Sequence, residues 1–253
     1  MLPVRDGVAT RYPPLVTWTV IGVCVLVYLV EAGLPPRAFE RFLFAHGLVP
    51  ARFFGPLALR DPPDLADWRV FFTHMWLHGG FFHLLTNMWT LFVFGPAVED
   101  RLGVGRYLGF YLACGLAAGL AHALVNAGST VPAVGASGAI AGVIGAYARM
   151  FPHARLVLVV PIVFLPFFVE VPAIVFAAFW FATQIVPGLL ALGEPGDAGG
   201  IAWWAHIGGF VAGWLLAPAM RRPRRRYRPY YADECVFGFS PDGRRSGGIG
   251  PWA

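Results

Sequence analysis

The chain has 253 residues, 57% of them hydrophobic and 13% charged, against roughly 45–50% and 25% in a soluble globular domain; this balance argues against a water-soluble core and points to lipid. The formal net charge is +5, yet Lys is absent and six of the nineteen Arg fall between Arg221 and Arg228. Directly after an apolar segment, such a run acts as a topology signal rather than a nucleic-acid site, and no nucleic-acid partner is expected.

A membrane-spanning helix takes about 20 mainly apolar residues, and six segments qualify in chain order. Residues 1–14, with Arg5 and Arg11, form a short cytoplasmic segment. The first span, about 15–34, lacks a signal-peptide cleavage pattern and is long enough to stay in the membrane. A long loop, Pro35 to Leu77, follows; Phe42-Leu43-Phe44 and Trp68-Arg69-Val70-Phe71-Phe72 make it too apolar for a solvated connection, so it is expected in the membrane interface. The second and third spans are read at 81–98 and 107–126, and the fourth at 136–151. Leu156 to Phe168 is apolar but interrupted by Pro161 and Pro166, which predicts a bent, partly embedded connector. The fifth and sixth spans are read at 171–191 and 203–220, and residues 221–253 as a basic, disordered cytoplasmic tail. Cys24 and Cys114 lie in apolar segments and Cys235 in the tail, so no disulfide framework is expected.

An even number of spans puts both termini on one side. Placing them in the cytoplasm also puts Arg101, Arg106, Arg149, Arg155 and the 221–228 cluster there; the outer side then has Arg37, Arg41, Arg52, Arg60 and Arg69, all in the one long loop, and the short outer loops near 127–135 and 192–202 have no Arg. The positive-inside rule favours this orientation. The expected architecture is an all-α membrane protein, a six-transmembrane-helix bundle over residues 15–220 with an interfacial first outer loop.

Polar side chains inside spans are costly and are functional candidates by default. His83 and Asn87 occupy the opening turns of the second span, Ser137 opens the fourth and His206 opens the sixth. These three spans run in the same direction, so the four side chains share one depth in the outer half of the membrane. From Ser137 to Arg149 the helix rises about 18 Å, short of a hydrocarbon core of about 30 Å, which sinks Ser137 below the outer surface. Ser137 sits in Gly135-Ala136-Ser137-Gly138, followed by Gly142 and Gly145, and His206 is followed by Gly209 and Gly213. Small residues four apart let helix backbones approach closely. If the two spans pack through these faces, Ser137 comes within hydrogen-bond reach of His206, as an activated serine requires. No carboxylate is placed at that depth on a neighbouring outer helix end, so a dyad is expected rather than a triad. The start of the fourth span offers unpaired N–H groups for an oxyanion, and His83 and Asn87, spaced i and i+4, share a helix face from which both can donate.

This arrangement resembles the rhomboid intramembrane proteases. The matching motifs are Trp68-Arg69; His78, His83 and Asn87; Glu99 and Arg101; Gly135-Ala136-Ser137-Gly138; and Ala205-His206 with Gly209 and Gly213, together covering roughly residues 15–220. The resemblance implies a serine endopeptidase of the minimal six-span bacterial form, in a bacterial cytoplasmic membrane. Ser137 would be the nucleophile, His206 the general base and then acid, and His83, Asn87 and the Ser137 N–H the oxyanion hole. His78 would support the site by hydrogen bonding. Neither metal nor organic cofactor is implied. The implied substrates are single-span membrane proteins cut near the outer face, admitted through a gate formed by about residues 171–202. One departure is that some members carry an aromatic residue four positions after the serine, stacked on the histidine, where this chain has Ala141; the histidine must be oriented from elsewhere.

Other readings fit less well. An inactive, client-binding relative is disfavoured by retention of both Ser137 and His206. A metal or haem protein is suggested by His74, His78 and His83, but His78 and His83 are five apart and face different ways on a helix, while His74 and His78, at i and i+4, precede the span. A transporter would be expected to show two-halved symmetry, which is missing.

Overall fold

The computed structural model describes residues 2–55, 58–59, 61–162, 165–192 and 202–222. Among them helices dominate: α1 (Leu15–Ala32), α2 (Pro36–His46), α3 (Phe81–Leu102), α4 (Val104–Val125), α5 (Ser137–Met150), α6 (Ala173–Ala191) and α7 (Trp203–Met220). A helix lies at each of the six segments expected as spans, α1 and α3 to α7, with ends that differ by a few residues. In lipid a helix pairs its own backbone groups, which is why uninterrupted apolar runs take this form. α1, α3, α4 and α6 are long and apolar enough to cross a membrane. α5 has only 14 residues, and the apolar run of α7 is diluted by His206, glycines and tryptophans.

The surface also fits lipid. Leu26, Leu29, Leu190 and Leu215 are each more than 60% exposed, a distribution that water would penalise and hydrocarbon does not. The inner core is aromatic: Tyr107, Phe110 and Tyr111 of α4, Tyr147 of α5 and Phe94 of α3 are fully buried.

Helices are not the whole fold, and the all-α expectation needs one correction. The segment expected as a bent connector is a β-hairpin, β2 (Arg155–Ile162) and β3 (Leu165–Pro172), and the N-terminal segment adds a third strand, β1 (Leu2–Asp6), in the antiparallel order β1-β2-β3. The run is rich in Val and Phe, which favour strands. Its two prolines do not break it because Pro161 and Pro166 pair opposite each other at the turn end of the hairpin, where two missing N–H groups disrupt the ladder least. The Trp89 indole of α3 donates to the Pro3 carbonyl at 2.7 Å, tying β1 to the bundle.

The long loop after α1 is ordered by α2 and by aromatic packing. Trp68 stacks on Phe71 with centroids 5.4 Å apart, and Phe53 lies 5.1 Å from both rings. A bridge between Leu48 and Ala133 joins this loop to the segment leading into α5. The tail beyond Arg222 and most of the expected outer loop 192–202 lie outside the described residues.

Two buried carboxylates hold helix ends. Pro14, at the N-cap of α1, has no side chain to cap the helix. Glu99 of α3 does so instead, its Oε1 accepting from the Val16 N–H at 2.8 Å and its Oε2 from the Thr17 N–H and hydroxyl at 2.9 and 2.8 Å. At the other end of α1, the Glu31 carboxylate accepts from the His78 N–H at 3.2 and 3.3 Å.

Candidate active site

α5 and α7 lie against each other through glycine. A Cβ on Gly209 would run into the Gly138 carbonyl, one on Gly213 into the Gly142 carbonyl, and one on Gly138 would come within 2.5 Å of the Ala118 methyl on α4. The backbones are therefore in contact, as the four-residue spacing of small residues predicts. This close approach brings the first residue of α5 and the first turn of α7 together. Ser137 Oγ lies 2.9 Å from His206 Nε2.

The lead-in to Ser137 is also constrained. The Gly135 N–H donates to the His74 carbonyl at 2.9 Å, and Gly135 has φ +129°, a region that L side chains rarely enter. A Cβ there would also fall 2.8 Å from Cε1 and Nε2 of His83 and 3.5 Å from Ser137 Oγ. Gly135 thus leaves open a space that the His83 ring and the serine hydroxyl share. One turn further along α3, Asn87 is 7% exposed and its Nδ2 has no hydrogen-bond partner among the described residues. A buried donor left unpaired is uncommon and asks for an explanation. Ser137 opens α5, so its N–H has no carbonyl within the helix to bond. The His83 ring and the start of α5 therefore face the space at Gly135, and Asn87 follows His83 one turn along α3.

His78 differs from its expected role. Its imidazole is fully buried, but neither ring nitrogen makes a hydrogen bond. It is the His78 backbone that bonds, to Glu31, while the ring packs edge-on against His83 with centroids 5.2 Å apart. Burial, and secondarily the neighbouring His83, push the His78 pKa down to about 4, so the ring is a neutral spacer. Trp68 packs in the loop, and the Arg101 guanidinium lies 5.1 Å over the Phe151 ring, so neither reaches the serine.

One neighbour of His206 was not among the expected residues. Gln184 of α6 places Oε1 2.7 Å from His206 Nδ1, and the Trp180 and Trp203 rings flank the imidazole at 6.1 and 6.4 Å. The signal was present: Gln184 is a polar residue in the middle of an apolar run, the same criterion that singled out Ser137 and His206. Among the described residues no group of three or more His, Cys, Asp or Glu is placed to hold a metal ion.

Apolar helices and a lipid-compatible surface define an integral membrane protein, and a serine–histidine pair stands where two of its helices begin. The rhomboid domain model matches residues 66–223, more than half of the chain, and the chain belongs to the rhomboid family. It is 29% identical over 157 residues to Rhomboid protein 1, mitochondrial, of Saccharomyces cerevisiae, an alignment covering 59% of this chain and 42% of that protein. It is 39% identical over 90 residues to the putative rhomboid protease YdcA of Bacillus subtilis, covering 33% and 42% of the two chains. To the rhomboid protease GlpG of Salmonella newport it is 32% identical over 93 residues, covering 37% and 29%. The chain thus matches less than half the length of each of these relatives.

Proposed function

We propose that the protein is an intramembrane serine endopeptidase whose six long helices are its spans and whose Ser137–His206 dyad hydrolyses peptide bonds in or near the membrane segments of other, single-span membrane proteins. The 2.9 Å contact between Ser137 Oγ and His206 Nε2 carries this reading. His206 takes the hydroxyl proton as Oγ bonds to the scissile carbonyl carbon, and the carbonyl electrons move onto oxygen. The Ser137 N–H, His83 and Asn87 receive that oxyanion. As it collapses the C–N bond breaks, the proton on Nε2 passes to the leaving amine, and an acyl-serine remains for water to hydrolyse by the same steps.

Membership of a family generally made of such proteases supports the assignment, as does the protease name of two of the relatives. Depth supports it as well: 14 residues of α5 rise about 21 Å, so a helix end at one surface leaves Ser137 below the other. The Arg distribution supports both termini on the cytoplasmic side.

A fluorophosphonate should label the native protein in detergent or bilayer at Ser137, and Ser137→Ala should abolish both labelling and cleavage of a reporter membrane segment while its thermal unfolding is unchanged. Cleavage that persists in the variant overturns the assignment.

A further inference from the structure

We propose that Gln184 is a positioning residue for the Ser137–His206 pair, fixing the imidazole tautomer that leaves Nε2 free to accept the serine proton. The inference deepens the protease reading and rests on it for its kinetic consequence, although the tautomer itself does not.

The hydrogen bonds of the glutamine decide which way its amide faces. A primary amide has a donor end and an acceptor end. The Gln184 Nε2 end meets the Trp180 carbonyl at 3.4 Å and the Thr183 hydroxyl at 2.9 Å. A backbone carbonyl only accepts, so the NH2 group belongs on that side and Oε1 turns toward His206. An acceptor 2.7 Å from Nδ1 requires the proton of a neutral imidazole to sit on Nδ1. The remaining lone pair is then on Nε2, facing Ser137 Oγ. In the other tautomer two lone pairs would oppose each other at Nδ1, and Nε2 would present a proton to the serine in place of a base.

Burial makes the preference matter. Gln184 is 7% exposed, so bulk water offers His206 little alternative on that side, and an unpaired Nδ1 would carry a desolvation cost. Among the described residues, the titratable groups whose charge reaches His206 are the imidazoles of His83 on α3 and His122 on α4. Neither is a carboxylate, and a neutral amide can orient the ring where an ionised acid would be expensive to bury. Gln184 also does what Ala141 cannot. With no aromatic side chain on α5 to stack on the imidazole, the ring is held by an acceptor on α6 between two tryptophans. The site is then built from α3, α5, α6 and α7 together.

The test compares the full chain, reconstituted in bilayers, with Gln184→Met, which keeps the length of the side chain but loses the acceptor, and Gln184→Glu, which restores an acceptor and adds charge. Nitrogen-15 spectra of the His206 imidazole should show the Nδ1–H tautomer in the native protein and a shift toward Nε2–H in Gln184→Met. With a reporter substrate, Gln184→Met should lower kcat about 10- to 100-fold, the range that follows loss of the orienting partner of a metal-bound histidine, with KM within about twofold. Gln184→Glu should recover most of that loss and move the acid limb of kcat/KM to higher pH, because a carboxylate at Nδ1 favours the imidazolium. An unchanged tautomer and kcat in Gln184→Met, or a Gln184→Glu variant as slow as Gln184→Met with an unmoved acid limb, overturns the proposal. Should the native protein neither cleave nor take the serine reagent, the protease reading fails, and the nitrogen-15 comparison still decides whether Gln184 sets the tautomer.

Discussion

Two groups of polar side chains are sunk in this apolar bundle, and they are connected differently. The Glu99 carboxylate is fully engaged: it receives two backbone N–H groups and a hydroxyl from the start of α1. Beside Ser137 the His83 ring faces the space that Gly135 vacates, and one turn along α3 the Asn87 Nδ2 has no partner among the described residues, so donors here are left open. A closed buried network adds rigidity, whereas an open one holds donors that only a bound group can satisfy. The contrast separates stability from chemistry. Substitutions in the closed cluster should unfold the protein and leave turnover per folded molecule alone, and those in the open cluster should do the reverse.

The largest effect is expected at the open cluster. Asn87→Ala removes one proposed oxyanion donor, a loss expected to be worth about 2.7–4 kcal/mol of transition-state stabilisation, or roughly 10²- to 10³-fold in kcat. Because Nδ2 bonds nothing in the free protein, its removal should leave the unfolding transition close to native. Steady-state kinetics on a reporter segment, with unfolding followed in the same detergent, separates the two. A rise in KM alone would mean that Asn87 binds substrate without serving the oxyanion.

The open cluster was legible in the sequence for a physical reason. Placing Ser, His and Asn inside apolar runs is costly, so few are present, and span order alone brings their depths together. Glycine at 138, 142, 209 and 213 likewise announces contact between backbones, since another side chain at Gly209 or Gly213 would strike a carbonyl. Gln184 could have been found by the same criterion, but its partner could not: that it meets Nδ1 depends on how α6 is rotated against α7, which composition does not record. The hairpin was hidden for a different reason. A run such as Leu156 to Phe168 suits an embedded connector or a strand, and the two prolines favour the connector until they are seen to face each other across the turn. The β1 partner lies some 150 residues away in sequence, beyond the reach of local pattern.

At the closed cluster, Glu99→Ala strands the Val16 and Thr17 N–H groups at a helix end with no other cap. Hydrogen bonds to a charged group are worth about 1.5–3 kcal/mol each and three are lost, so the variant should lose about 3 kcal/mol or more of stability, read from denaturant or thermal unfolding in detergent. Turnover per folded molecule, counted by active-site titration with a fluorophosphonate, should stay near native. A large fall in that number would show that the start of α1 is coupled to the serine, and the two clusters would no longer be separable.

The smallest and most discriminating change is Thr17→Val. Thr17 is fully buried, and its hydroxyl and methyl both lie within 3 Å of where a Gly95 Cβ would stand, so the side chain fits a space that a bulkier one would overfill. Valine keeps that shape and removes one donor of the three that Glu99 receives, while both backbone N–H bonds remain. A single hydrogen bond to a charged group contributes about 1.5–3 kcal/mol, and a destabilisation near the lower end of that range, with kinetics unaltered, is the expected result. A loss as large as that of Glu99→Ala would mean that the hydroxyl holds the carboxylate in place for the other two bonds, so that the cluster acts as one cooperative clasp. No loss would mean that the two N–H groups alone hold α1, and that the carboxylate is oriented by the helix end it caps.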